Sequence, residues 1–313
     1  MKPIVTLTLN PAIDVACDAD HVAPTHKTRT YNEKIEPGGG GINVARALCG
    51  FAAPVKAIYI AGGAPGRVLD AMVAERGIER DPVWVKGDTR ISLNVRERDS
   101  GLEYRFVPEG PDIGESEWRA VLDRVAATDC DYFVASGSLP PGVPDDFYHR
   151  VIDIVHAKGT RFMLDTSGAE LRAALKSGVF LIKPSLVELE ELVGEELKGK
   201  DRIASAASDL VRRGQTRLVA VTLGHRGSIL ADEQGATFLP AVDVEVRSAV
   251  GAGDSFLAGM AYGLAAGNDA PKAFRMGVAA GAAAIQSLGT DLCKTADVDA
   301  LLQQVGEPEP IRF

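Results

Sequence analysis

The rhythm of apolar and polar positions changes along the chain. Ile4–Leu9 is a short run rich in β-branched and apolar residues, which predicts a strand, and it stops at Asn10-Pro11-Ala12-Ile13-Asp14. Residues 15–36 show no helical period; His26 to Ile35 alternates and predicts a strand pair outside the main sheet. Val55–Ala61 predicts a second strand, followed by a helix over Gly66–Arg76. Val83–Lys86, Arg90–Glu97 and Tyr104–Val107 alternate again, with Asp99-Ser100-Gly101 as a hairpin signal. From residue 114 the pattern switches. Helices are expected over 114–127, 145–158 and 201–213, with strands over 131–136, 161–165, 179–183 and 217–222 between them. A further helix is expected over Ser255–Gly267, and the tail reads as a short helix and a polar end. Such alternation specifies a parallel sheet with helices on both faces. The expected fold is therefore α/β, a doubly wound and mostly parallel sheet. A small inserted β-sheet lid, with segments roughly 15–36 and 88–107, is expected to draw in Val83–Lys86 as well. At 313 residues the chain reads as a single domain, 1–313.

Apolar residues make up 46% of the chain, enough for a large core. The formal net charge of −9 argues against a nucleic-acid or anionic-membrane surface and leaves room for a local basic pocket. The N-terminus is too short and too weakly apolar for a signal peptide, and no apolar run reaches membrane-spanning length, so a cytoplasmic protein is expected. Cys17, Cys49, Cys130 and Cys293 are far apart and read as free thiols. The five histidines show no zinc spacing.

Two glycine stretches carry the chemistry. In the first, Gly38 to Gly41 run into a helix expected to begin near Asn43, so a ligand can approach the backbone and Asn43 can offer a donor and an acceptor. A plain hinge fits the same four residues. The second is Arg247-Ser-Ala-Val-Gly-Ala-Gly-Asp-Ser-Phe256. Glycines at a helix start leave backbone N–H groups bare, and the helix dipole adds partial positive charge there. Gly251, Ala252 and Gly253 can thus form an anion hole for a phosphoryl group, with Asp254 beside it as a base. A turn with a capping Asp is the local alternative. Asp14, just past the first strand, reads equally as a ligand for sugar hydroxyls or a solvated turn acid. Ser138, Asp165, Lys183, Glu188 and Gly224 are all expected near the carboxyl edge of the sheet, where open α/β sheets bind ligands. Lys27, Arg29, Arg90 and Arg105 gather basic charge on the expected lid and suggest a phosphate pocket. Neither a G-x-x-x-x-G-K-[ST] loop nor an H-R-D motif is present.

Pro37-Gly-Gly-Gly-Gly-Ile-Asn-Val-Ala45 and Val250-Gly-Ala-Gly-Asp-Ser255 together resemble the paired signatures of the ribokinase/PfkB superfamily of sugar kinases. Thr6 to Asp14, Glu36 to Ala47, Ser136 to Gly142 and Gly289-Thr-Asp-Leu-Cys293 narrow the resemblance. It points to the phosphofructokinase and tagatose-6-phosphate kinase branch, nearest the minor PfkB-type 6-phosphofructokinases of bacteria. The resemblance implies a ribokinase-like fold, ATP with Mg²⁺ as phosphoryl donor, and fructose 6-phosphate as acceptor. A 1-phosphofructokinase, a tagatose-6-phosphate kinase, a kinase for an unphosphorylated sugar or nucleoside, and a non-catalytic sugar-phosphate sensor are the alternatives. It implies Asp254 as base and Gly251, Ala252 and Gly253 as anion hole. Asp14, Gly39, Gly40 and Asn43 would hold the sugar, and Lys27, Arg90, Arg105 and Ser138 its phosphate. Lys183 and Glu188 would lie toward the nucleotide phosphates and Mg²⁺, and Thr222, Gly224 and Gly227 toward the nucleotide. The backbone near Ser248, Val250, Ala284 and Gly289 would hold a monovalent cation such as K⁺. Two positions depart from the family pattern. Ser185 replaces the Asn of an N-x-x-E motif, which bears on Mg²⁺, and Asp291 stands where a basic residue is usual, which bears on the cation site and the substrate. The resemblance, and the apolar side of the lid bearing Ile91, Leu93 and Val95, also imply a homodimer through the lid.

Overall fold

The computed structural model describes residues 2–248, 250–287 and 292–313. The expectations for Gly289 and Asp291 lie outside these residues. In chain order the first half comprises β1 (Ile4–Thr8), β2 (Ala12–Ala19), β3 (Tyr31–Gly38), α1 (Gly40–Gly50), β4 (Val55–Gly62), α2 (Gly63–Glu75), β5 (Glu79–Val85), β6 (Arg90–Glu97) and β7 (Glu103–Phe106). Next come α3 (Glu115–Ala127), β8 (Tyr132–Ser136), α4 (Phe147–His156), β9 (Arg161–Asp165), α5 (Gly168–Ala174), β10 (Val179–Ile182), α6 (Leu186–Val193), α7 (Lys200–Arg212) and β11 (Thr216–Thr222). The chain closes with β12 (Ser228–Asp232), β13 (Gly235–Leu239), α8 (Ala252–Ala265), α9 (Ala270–Ile285), α10 (Thr295–Leu302) and β14 (Glu309–Ile311).

Ten strands form one sheet in the order β14-β13-β12-β11-β10-β9-β8-β1-β4-β5. From β5 through β11 all neighbours are parallel, and β12, β13 and β14 add antiparallel strands at one edge. Every residue of β1 and β8 is buried, as central parallel strands covered on both faces require. Two core layers result. Ile42, Val73, Leu257 and Phe274 fill the side covered by α1, α2, α8, α9 and α10. Phe133, Phe147, Phe162 and Ile203 fill the side covered by α3 to α7. The small-residue composition of α8 and α9 has a packing cause. A Cβ added to Gly259 would lie 2.6 Å from the Met276 carbonyl oxygen, so the two helices touch backbone to backbone.

Strand order reverses between β1 and β8, because the chain builds outward to β5 on one side and to β11 on the other. The carboxyl ends of β1 and β8 therefore diverge and leave a crevice.

The second sheet has four strands, ordered β3-β2-β6-β7, with β2 and β6 parallel and the outer pairs antiparallel. It matches the expected inserted sheet, with three corrections. Val83–Lys86 does not join it: residues 79–85 form β5, the edge strand of the main sheet, paired with β4 over seven positions. Alternation at a half-covered edge strand looks the same as alternation in a free-standing sheet. The first strand of the small sheet starts at Ala12, so Asp14 lies within β2 and not in a turn past the first strand. The end of the chain is not only polar tail, because β14 completes the main sheet against β13.

Helix starts also move. The first glycine-led helix begins at Gly40, ahead of Asn43, and α8 begins at Ala252, so that Asp254 falls in its first turn. Cys17, Cys130 and Cys293 are buried and Cys49 is partly buried; all four are free. Among the described residues no helix is long and apolar enough to cross a membrane.

Candidate active site

A cavity of about 410 Å³ opens at the switch point, roofed by the small sheet. Asp14, Gly39, Gly40, Asn43, Arg90, Arg105, Ser138, Glu188, Val250, Gly251 and Asp254 line it, and all were expected at the site from sequence. The glycine run is shaped by what it touches rather than by looseness. A Cβ on Gly38 would lie 2.0 Å from an Asp14 carboxylate oxygen, and one on Gly40 would lie 2.2 Å from Ser136 Oγ. Strand β3 can pass into α1 this close to β2 and β8 only without side chains.

Asp254 is held from two sides. Asn43 Nδ2 donates to Oδ2 at 2.9 Å, and Ser136 Oγ donates to Oδ1 at 3.4 Å. Burial pushes its carboxyl above the usual carboxylate range, while the Asn43 bond, the Lys183 charge and the Ser136 bond pull it back. Gly251 precedes α8 with φ 75°, a left-handed conformation that a side chain disfavours, and the helix has no side-chain cap. The first intrahelical bond runs from the Ser255 N–H to the Gly251 carbonyl, so the amides of Ala252, Gly253 and Asp254 precede the hydrogen-bonded ladder. Lys183 Nζ lies beneath this turn, 3.2 Å from where a Gly253 Cβ would be.

Lys183 pairs with Asp165 at 3.2 Å, and both side chains are largely buried. Burial works against the Lys183 charge, but Asp165, Asp254 and Glu188 more than offset it, and its pKa is raised. Burial pushes the Asp165 carboxyl up to about 6, against the pull of Lys183. Asp14, on β2, is also raised by burial, opposed by Arg46, Arg90 and Arg105, and it accepts a hydrogen bond from Ser92. Arg90 is aimed by main chain: its guanidinium donates to the carbonyls of Pro108 at 2.8 Å and Asn10 at 2.7 Å.

Other expected residues fall elsewhere. Lys27 is exposed in the connection between β2 and β3 and is not part of the cavity lining. Charge and position on the small sheet could not reveal how that connection turns. Ser185 and Glu188 form a capping box on α6. The Ser185 N–H donates to Glu188 Oε2 at 2.7 Å, and the Glu188 N–H donates to Ser185 Oγ at 3.3 Å. The serine that departs from the family pattern thus works as a helix cap. Thr222 and Gly224 sit at the carboxyl end of β11, where the Thr222 N–H bonds the Pro184 carbonyl, and Gly227 closes the following turn. Ser248 and Ala284 lie in neighbouring segments, since the Arg247 and Ser248 N–H groups both bond the Ile285 carbonyl.

Sequence reading missed Ser136, Arg46 and the pairing of Asp165 with Lys183. Ser136 ends β8 ahead of the loop to Gly142, and only the approach of α8 to β8 brings it to Asp254. Asp165 ends a strand at the ligand-binding edge, which was the available signal.

The model of the pfkB family carbohydrate kinases matches residues 7–297. The ATP-dependent 6-phosphofructokinase isozyme 2 of Mycobacterium tuberculosis is 40% identical over 313 residues, covering 99% of this chain and 92% of that protein. A 1-phosphofructokinase of Borreliella burgdorferi is 31% identical over 304 residues, covering 96% and 97%. Phosphofructokinase-2 from Escherichia coli in complex with fructose 6-phosphate superposes with a TM-score of 0.92 at 36% identity, over 97% of this chain and 99% of that one. That enzyme has also been solved with potassium, at a TM-score of 0.93 and 37% identity, and in a tetrameric inhibited form, at 0.92 and 37%, each with the same coverage.

The buried Asp165 makes a pH prediction. Its folded-state pKa, about 6, lies above the ordinary 3.8, so the folded protein binds this proton more tightly than the unfolded chain. The stability it contributes is therefore full below the unfolded value and falls as pH rises from about 4 to about 6. Urea unfolding of wild type and Asp165→Asn should show a stability difference that changes over this window. A difference independent of pH would count against the assignment.

Proposed function

The chain belongs to the pfkB family of carbohydrate kinases, and from that premise we propose that it transfers the γ-phosphoryl group of ATP to fructose 6-phosphate, yielding fructose 1,6-bisphosphate and ADP. One observation carries the reading. A half-buried carboxylate, Asp254, stands in the first turn of an uncapped helix, inside a cavity that also presents Arg90 and Arg105.

In this reading Asp14, Gly39, Gly40 and Asn43 hold the sugar, while Arg90, Arg105 and Ser138 face its phosphate. The acceptor's 1-hydroxyl gives its proton to the Asp254 carboxylate as its oxygen bonds to the γ-phosphorus and the bond to ADP breaks. Charge growing on the transferred oxygens meets the N–H groups at the start of α8 and the Lys183 ammonium beneath them. Lys183, Glu188 and the turn from Thr222 through Gly224 to Gly227 form the nucleotide side. Among the described residues no three His, Cys, Asp or Glu side chains group as metal ligands. Mg²⁺ would be carried by the nucleotide phosphates, with Glu188 on that side of the cavity, and it would neutralise charge on those oxygens. The segments of Ser248, Val250 and Ala284 would supply carbonyls to a monovalent cation such as K⁺, and the Arg247 and Ser248 N–H bonds to the Ile285 carbonyl hold the Ser248 and Ala284 segments side by side.

The runner-up is a 1-phosphofructokinase, favoured by the 31% identity to the Borreliella burgdorferi protein. A sensor without catalysis is disfavoured because the base and the helix start are both intact. An ADP-release assay across fructose 6-phosphate, fructose 1-phosphate, tagatose 6-phosphate, fructose and ribose separates these readings. Fructose 6-phosphate should show the highest kcat/KM; a higher value for another sugar phosphate reassigns the substrate and keeps the kinase class.

General-base catalysis contributes roughly 10²–10⁴-fold. Asp254→Asn should lower kcat by about that factor with substrate binding nearly unchanged, and a near-wild-type kcat would remove Asp254 from the role. Arg90 offers a rigid fork suited to phosphate oxygens, at the cavity's small-sheet wall. Arg90→Ala should raise KM for the sugar phosphate and leave free fructose little affected. Equal losses on both acceptors would sink the phosphate contact.

The outer face of the small sheet exposes Ile35, Ile91 and Phe106 at roughly half of their full area. Such a face fits a second copy of the chain, and a homodimer through the small sheet belongs to the same proposal. Light scattering should return a dimer at micromolar protein; a fully active monomer would refute it.

A further inference from the structure

Arg46 is a buried cation on α1, one turn after Asn43, with its side chain only 5% exposed. Its Nη1 donates to the Pro37 carbonyl at 2.9 Å and to Asn43 Oδ1 at 3.2 Å, and its Nη2 donates to Glu36 Oε2 at 2.8 Å. Glu36 and Pro37 belong to β3 of the small sheet, and Glu36 Oε2 also accepts from Arg76. Asn43 then donates from Nδ2 to Asp254. A guanidinium can only donate, so it demands the oxygen of the Asn43 amide and leaves the nitrogen for the carboxylate. Turned over, the amide would set its NH₂ against Arg46 and its oxygen against Asp254. A continuous path of directed bonds thus runs from β3 through Arg46 and Asn43 to Asp254.

We propose that Arg46 is a positioning residue. It locks the Asn43 amide with its nitrogen on Asp254 and makes that orientation depend on the seating of β3. The small sheet is thereby coupled to the carboxylate that takes the acceptor's proton. The role rests on the kinase reading through the function it gives Asp254. The guanidinium suits the place, because two nitrogens held in one rigid plane divide a main-chain carbonyl, an amide oxygen and a carboxylate between them.

The bland alternative is that Arg46 only staples β3 to α1. Kinetics separate the two. Asp254 is faced by Asn43 from α1, Ser136 from β8, Lys183 after β10 and Asp14 from β2, with Asp165 at the end of β9 acting across the same space. Of these, the Asn43 bond is the strongest influence lowering the Asp254 pKa. Its loss should move the acid limb of the kcat–pH profile to higher pH.

The experiment compares full-length wild type, Arg46→Met, Asn43→Ala and the double variant by kcat, KM for each substrate and the pH profile, with thermal melting as the folding control. Arg46→Met should lower kcat by about 10–100-fold, the scale of a small misplacement at a reacting group, with a smaller change in KM for ATP. Its acid limb should shift upward, and adding it to Asn43→Ala should cost little more. If Arg46→Met does not fold, Glu36→Gln should show the same shift with a smaller loss. A folded Arg46→Met with wild-type kcat and an unmoved acid limb overturns the proposal. So does a full extra loss in the Asn43→Ala background. A wild-type protein that phosphorylates no sugar phosphate sinks the kinase reading instead. The Asn43 side-chain amide resonance then decides whether Arg46 orients that amide: a shift in Arg46→Met supports it, and no shift overturns it.

Discussion

Burying opposed charges at the start of one helix is the constraint on which the rest of this structure depends. Lys183 and Asp165 pair beside the first turn of α8, which carries Asp254, and all three side chains have lost much of their contact with bulk water. Losing one partner of such a buried pair typically costs about 3–5 kcal/mol. A whole domain holds a net stability of only about 5–15 kcal/mol. An ion group of this kind is no cheap source of stability. It persists because the surrounding layers hold each member in place: the end of β9 carries Asp165, the end of β10 carries Lys183, and the α8–α9 pair fixes Asp254. The small residues of α8 and α9 let the two backbones touch, so the helix start has little freedom to drift.

The same requirement explains the crowding around the glycine run. The carboxyl ends of β1 and β8 part at the topological switch point, and the chain must pass from β3 into α1 through that gap. Side chains at Gly38 and Gly40 would strike Asp14 and Ser136. The passage therefore brings Asn43 against Asp254 and sets β3 beside Arg46. The small sheet is tied to the cavity end of the main sheet by directed bonds as well as by four chain crossings. Its apolar outer face and its polar inner face follow from the period of two along β2 and β6. The inner face supplies Asp14, Arg90 and Ser92 to the cavity, and the outer face leaves Ile35, Ile91 and Phe106 in solvent.

Much of this was legible in the sequence. The switch from alternating to helical periods marked the parallel sheet, and two glycine stretches marked both walls of the cavity. Local pattern has a short reach, and its failures are local for the same reason. It assigned β5 to the small sheet, because an edge strand and a free-standing strand alternate alike. It left out the hairpin of β12 and β13 and the closing strand β14, whose place depends on partners far along the chain. It read Glu188 as a ligand without seeing that the helix cap claims one of its oxygens.

What the sequence by itself determined is the chemistry available: a carboxylate after a glycine pair, basic groups on an inserted sheet, acids at strand ends. Those are properties of residue type and spacing, which the chain carries before it folds. Only the tertiary structure decided which groups meet. Asn43 and Asp254 are 211 positions apart and Ser136 and Asp254 are 118 apart. Their contacts arise from strand order and helix packing. The orientation of the Asn43 amide is set by Arg46, and that residue acquires its role only once β3 lies beside α1.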